Sequence, residues 1–99
     1  MAQIGSFTRD SAGIYTGEIH TLFLRVGVTI RPCERDHDRA PDHRVIADGR
    51  DVGAAWAKAV PATGAEYLSL KLDDPFLPAP VYATLVRGDD GDHKLIWSR

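Results

Sequence analysis

The sequence predicts an all-β domain, a small antiparallel barrel or two-sheet sandwich of seven or eight short strands. Three observations carry that reading. Apolar residues recur with period two in several stretches. Turn signals separate those stretches at short intervals. The whole chain has 99 residues, enough for a single domain over residues 1–99 with a modest core. A five-stranded oligonucleotide-binding-type barrel satisfies the pattern, and so does a sandwich of two sheets.

The elements follow in chain order. Ile4 to Thr8 and Ile14 to Ile19 form a short opening pair around Asp10 to Gly13. Leu22 to Arg31 alternates cleanly and reads as one long half-buried strand. Leu22, Leu24, Val26, Val28 and Ile30 are expected inward, and Phe23, Arg25, Gly27, Thr29 and Arg31 outward. Ile19 and Leu22 differ in parity, so a bulge or turn is expected near His20 and Thr21. His43 to Ala47 and Val52 to Val60 are joined by Asp48-Gly49-Arg50, a hairpin signal. The alanines of residues 52–60 favour helix by propensity, whereas Val52-Gly53 and the stop at Pro61 favour strand, so both remain open. Tyr67 to Leu72 alternates, with Leu68, Leu70 and Leu72 inward. Val81 to Val86 and Lys94 to Trp97 form a last hairpin across Gly88 to Asp92, and Trp97 is expected to pack the core.

Two stretches lack periodicity. Residues 32–42 (PCERDHDRAPD) form a charged loop expected to be long and mobile. Residues 73–80 (DDPFLPAP) are stiffened by prolines, and Phe76 and Leu77 are expected to dock on the core.

Composition excludes several function classes. Twelve Lys and Arg face fourteen Asp and Glu, a formal charge of -2. Proteins that neutralise duplex phosphates usually carry a basic excess, and none is present globally. The single cysteine, Cys33, forbids an intramolecular disulfide and suits a reducing cytoplasm. The opening residues lack the charge and apolar run of a signal peptide, and no apolar run is long enough for a membrane helix, so no membrane association is expected.

Few motifs point to chemistry. Cys33, Glu34, Asp36, His37, Asp38 and His43 could ligate a metal, but the ligand spacing of a zinc site is missing, and a solvated loop explains them better. Asp89, Asp90 and Asp92 lack the frame of a calcium loop and read as a polar hairpin turn. No serine lies in a nucleophile elbow, and neither a phosphate loop nor a dinucleotide fingerprint occurs. Cys33 with His37 or His43 is a weak candidate for a thiolate pair. The expectation is therefore a non-enzymatic protein with no cofactor and no metal.

The outward residues are more suggestive. Phe23, Arg25 and Arg31 share one parity on the long strand. Trp56 pairs in parity with Lys58, and Tyr67 with Lys71. Aromatic faces flanked by cations hold single strands by stacking and charge. These seven residues are the candidate binding set. The competing explanation is that Phe23, Trp56 and Tyr67 belong to the core or cover an edge.

Several words of the sequence resemble a known family. Ile4-Gly5 with Phe7, Thr21-Leu22, Ile30-Arg31-Pro32 and Gly53-Ala54-Ala55-Trp56 come first. The run Tyr67-Leu68-Ser69-Leu70-Lys71-Leu72-Asp73-Asp74-Pro75, then Pro78-Ala79-Pro80-Val81-Tyr82-Ala83 and the ending Trp97-Ser98-Arg99, follow. Over nearly the whole chain the sequence is similar to the bacterial domain of unknown function 736. The resemblance implies a small cytoplasmic protein with a role in mobile-element biology, and it supplies no catalytic residues. It favours strand–turn–strand over Val52 to Leu72. A lysine-rich turn common in the family is here the uncharged Ala59 to Ala65, which departs from a nucleic-acid reading.

Two functions are therefore expected. The first is weak binding of a single-stranded nucleic acid or a nucleoprotein. The alternative is a protein-interaction or homo-oligomerising module, a homodimer in its simplest form, that pairs through exposed sheet edges.

Overall fold

In the computed structural model, which describes residues 2–75 and 77–97, the chain is all strand and turn. Eight strands follow one another: β1 (Ala2–Arg9), β2 (Tyr15–His20), β3 (Arg25–Pro32), β4 (His43–Ala47), β5 (Arg50–Ala59), β6 (Glu66–Leu72), β7 (Val81–Arg87) and β8 (His93–Trp97). Each pairs antiparallel with the next, and β8 pairs with β1, closing an up-and-down barrel. The architecture is thus a barrel and not a sandwich. Its sequential strand order also separates it from the five-stranded oligonucleotide-binding barrel. Residues 52–60, which propensity left open, belong to β5 up to Ala59, because each β5 residue from Gly53 to Ala59 pairs with β6.

Closure corrects one functional expectation. With β1 joined to β8, the described strands leave no free edge, so pairing through a sheet edge has no template.

The interior follows from the pleat. Phe7, Ile30, Val45, Leu70, Leu85 and Leu95 are fully buried, one each on β1, β3, β4, β6, β7 and β8. Burying Phe7 alone contributes roughly 1.5–3 kcal/mol. Its ring needs two glycines. A Cβ on Gly17 would lie 2.1 Å from the Ser6 carbonyl oxygen and 2.7 Å from the Phe7 ring, and one on Gly5 would lie 3.1 Å from that ring. The β4–β5 hairpin turns through Asp48 (φ 52°) and Gly49 (φ 71°), the left-handed pair of a two-residue turn.

Two sequence expectations fail at the loops. The strand expected from Leu22 begins only at Arg25, because Thr21 N donates to the Leu24 carbonyl at 2.8 Å and closes a turn. Leu22 and Leu24, expected inward, are 87% and 41% exposed, and Phe23 is 95% exposed. The loop expected to be mobile is held down. Cys33 N donates to the Asp42 carbonyl, Asp42 N to the Ala55 carbonyl, and Ala57 N to the Asp42 carboxylate at 2.8 Å, while Ala40 is buried. In the proline-rich segment Leu77 packs against the core, and Phe76 lies outside the described residues.

Candidate binding sites on the outer face and in the barrel mouth

The predicted binding set divides. Trp56 and Lys58 on β5, and Tyr67 and Lys71 on β6, share one outward face. Register explains the grouping, since Lys58 stands opposite Tyr67 and Trp56 opposite Ser69. One strand further, Lys71 stands opposite Tyr82. Two lysine–aromatic cross-strand pairs thus flank Trp56. The charged loop completes the face: the Trp56 indole N–H donates to the Arg39 carbonyl at 2.9 Å. Asp38, Arg39, Trp56, Lys58, Ser69, Lys71 and Tyr82 line a groove of about 430 Å³. Among the described residues neither lysine is ion-paired.

Arg31 lies on the same belt, through the pairs Arg31–Arg44, Arg44–Ala54 and Ala54–Lys71. Three strand spacings, about 14 Å of arc, separate it from Lys71. Phe23 and Arg25 are elsewhere. Phe23 sits at the β2–β3 turn, and Arg25 is engaged by Glu18 on β2, Nε to Oε1, at 2.8 Å. Tyr82 and Arg39 complete the face, and sequence reasoning did not include them. Tyr82 was legible as the outward neighbour of Ala83, but its opposition to Lys71 needed the register.

The second site was not legible as a site. Six strands carry a polar or aromatic side chain one pleat step beyond an inward residue: Arg9 beyond Phe7, Tyr15 before Gly17, His43 before Val45, Glu66 before Leu68, Arg87 beyond Leu85, and His93 before Leu95. Strand direction alternates, so all six gather at one end of the barrel. There they line a mouth of about 950 Å³ with Ala57, Leu68 and Leu85 on its wall.

Tyr15 organises the mouth. The His93 and His43 rings meet it edge to face, at centroid distances of 5.0 and 5.9 Å. The Arg9 guanidinium lies 5.7 Å from its ring centroid. Nδ1 of each histidine is buried with no hydrogen-bond partner. Burial is the main cause that pushes both imidazoles below their ordinary value. Arg87 and Arg9 add to it at His93, as Arg9 does at His43, while Asp92 and Asp42 respectively oppose it. Both rings are therefore neutral at pH 7, each with one N–H donor and one nitrogen acceptor. Among the described residues Arg9, Arg87 and Glu66 form no ion pair.

The loop atoms considered for metal or thiolate chemistry have other partners. The Cys33 thiol donates to the Pro41 carbonyl at 3.3 Å, and His37 Nδ1 accepts from Arg39 N. His43 points instead into the mouth.

Residues 3–99 match the model of a family described as a protein of unknown function, DUF736. No curated protein and no solved structure matches.

Proposed function

The chain belongs to the DUF736 family, whose description assigns no activity, and from that premise we propose that it is a non-enzymatic binding module whose β5–β7 face takes a single-stranded nucleic acid or a nucleoprotein. One observation carries the reading. The Lys58–Tyr67 and Lys71–Tyr82 pairs stand on either side of Trp56, with Arg39 above them. Aromatic rings stack on bases irrespective of sequence, and adjacent ammonium groups meet phosphates. Each stacked base contributes roughly 1–3 kcal/mol. The groove holds few cations and also Asp38, so binding is weak and falls with salt only in proportion to those few contacts. As the sequence resemblance implies, the setting proposed is the bacterial cytoplasm and mobile-element biology.

The test is fluorescence titration with short oligothymidylate at low and moderate salt, using a Trp97→Phe variant so that Trp56 alone reports. Saturable quenching that weakens with salt, and is lost in Lys58→Gln/Lys71→Gln, is the expected result. A folded protein that gives no heat with the oligonucleotide in low-salt calorimetry overturns the reading.

A second reading, a homodimer, is favoured by a different observation. Phe23 projects almost fully into solvent, next to Leu22 on the rim of an apolar recess of about 610 Å³ lined also by Ala2, Ile4, Val81 and Trp97. A knob next to a recess is self-complementary, as a two-fold interface requires. Sedimentation velocity over a wide concentration range tests it. Only monomer at every concentration removes it.

A further inference from the structure

We propose that the barrel mouth is a second binding site, for a small molecule that joins an anionic oxygen head to an apolar body. The argument begins with the interior. The middle of the barrel is a cluster of buried, mostly aliphatic side chains, whereas one end carries two arginines, two histidines and a tyrosine around a cavity. Tyr15 is buried and both histidines are half-buried, positions that a core alone would fill with apolar residues. Buried polar atoms without partners are uncommon in native folds, and here two imidazole nitrogens lack them. Both belong to residues that line one cavity, and the cavity is of the size that takes a small organic ligand.

The charge of the ligand follows from the arginines. Arg9 is drawn over the Tyr15 ring, and neither it nor Arg87 is ion-paired among the described residues. A guanidinium presents a planar fork of donors that matches carboxylate and phosphate oxygens. Neutral imidazoles add a donor or an acceptor without adding charge. Glu66 and Asp10 line the same rim and work against an anion, but the Asp10 carboxylate is engaged by the Ala12 and Ile14 backbone N–H groups. The body of the ligand follows from the wall, where Ala57, Val60 and Ala65 offer exposed apolar contact beside the polar ring. The site is distinct from the outer face, because Arg9, Tyr15, His43, Arg87 and His93 point to the opposite side of the pleat from Trp56, Lys58 and Lys71, although Tyr67 borders the mouth as well.

The test is an NMR titration of the full chain that follows the His43 and His93 ring resonances. The probes are octanoate, octanol and inorganic phosphate. Octanoate is expected to shift both histidines saturably, and octanol at least tenfold less tightly. Arg9→Gln/Arg87→Gln is expected to weaken octanoate at least tenfold, and Glu66→Gln to tighten it. These three residues lie on the exposed rim, so the variants stay folded and interpretable. Phosphate that competes with octanoate assigns the head group to phosphates as well as carboxylates, and absence of competition assigns it to carboxylates. Equal affinity for octanol, an unchanged affinity in the double arginine variant, or shifts confined to the β2–β3 turn would each overturn the proposal. The oligonucleotide titration distinguishes the two sites: loss of the mouth leaves Trp56 quenching intact, and loss of the outer face leaves the histidine shifts intact.

Discussion

His93 meets Tyr15 edge to face, with ring centroids 5.0 Å apart and planes at 82°. The two residues are far apart in sequence, one opening β2 and the other opening β8, and β1 lies between those strands in the closed sheet. Such a contact exists only because the sheet closes, and it ties the polar mouth to the core beneath it. Tyr15 is 9% exposed, so it is a core residue as well as a site residue. Tyr15→Leu keeps apolar volume but removes the aromatic contacts with both histidines and Arg9. The expected loss is about 1–2 kcal/mol of stability in urea denaturation, since an aromatic pair contributes about 0.5–1.5 kcal/mol beyond its burial. A change below the error of that measurement would mean that the ring contacts do not organise the mouth.

The two mouth histidines set a pH dependence. Their folded-state values lie below the ordinary 6.5 because burial opposes the charged ring. As pH falls through 6.5, the unfolded chain takes up protons first, so the unfolded state binds more of them. Stability is therefore fully present above that pH and declines as pH drops, until the folded histidines titrate too. Asp42 and Asp92 soften the effect, and Arg9 and Arg87 sharpen it. Asp90, held low mainly by the Asp92 backbone N–H, titrates in a more acidic range. Denaturation midpoints at pH 8, 6 and 5 measure the slope. His43→Gln/His93→Gln should flatten it between pH 8 and 5, and an unchanged slope in that variant refutes the assignment.

Glycine has opposite meanings at two strand positions. At Gly17 an added methyl group would meet Ser6 oxygen at 2.1 Å, and the Phe7 ring leaves no room to shift. At Gly27, on the outer side of β3, a methyl group would meet nothing within 4 Å. Gly17→Ala is expected to destabilise by about 1–3 kcal/mol or more through overpacking. Gly27→Ala is expected to be neutral or to stabilise by up to about 1 kcal/mol, because it restricts the unfolded chain. Thermal melts of the pair check the sign as well as the size, and a Gly17→Ala protein as stable as the parent contradicts the packing described.

Much of the barrel was legible in the residues. The alternation of Leu68, Leu70 and Leu72 gives β6 its inward face, and Asp48-Gly49 fixes the β4–β5 hairpin, because local sterics decide both. The number of strands followed from the same signals, whereas closure did not, since no local signal records that β1 and β8 meet. The outer face was half legible. Parity put Trp56 with Lys58 and Tyr67 with Lys71, and register then added Tyr82 and set Phe23 and Arg25 apart. The mouth had a signal that period-two reading tends to discard. A polar residue one pleat step past a core position looks like the end of a strand. Only when six such residues converge, after closure, does their common direction become a site.

The β2–β3 turn is where alternation misled most plainly, and it yields the simplest check. Leu22, Phe23 and Leu24 continue the period of β3, but the Thr21–Leu24 hydrogen bond ends the ladder before them. Leu22 at 87% exposure and Phe23 at 95% have little packing to lose. Leu22→Ser/Phe23→Ser should therefore change the unfolding free energy by no more than about 0.5 kcal/mol per site, the range of ordinary surface substitutions. Val28→Ser, three pairs beyond the first rung of β3 and at 3% exposure, should cost several-fold more, since it places a hydroxyl among aliphatic side chains. Were the long strand to run through Leu22 as its pattern suggests, the turn double variant would unfold as readily as Val28→Ser. Equal losses in the two proteins by urea denaturation would place Leu22 inside the barrel and refute the turn.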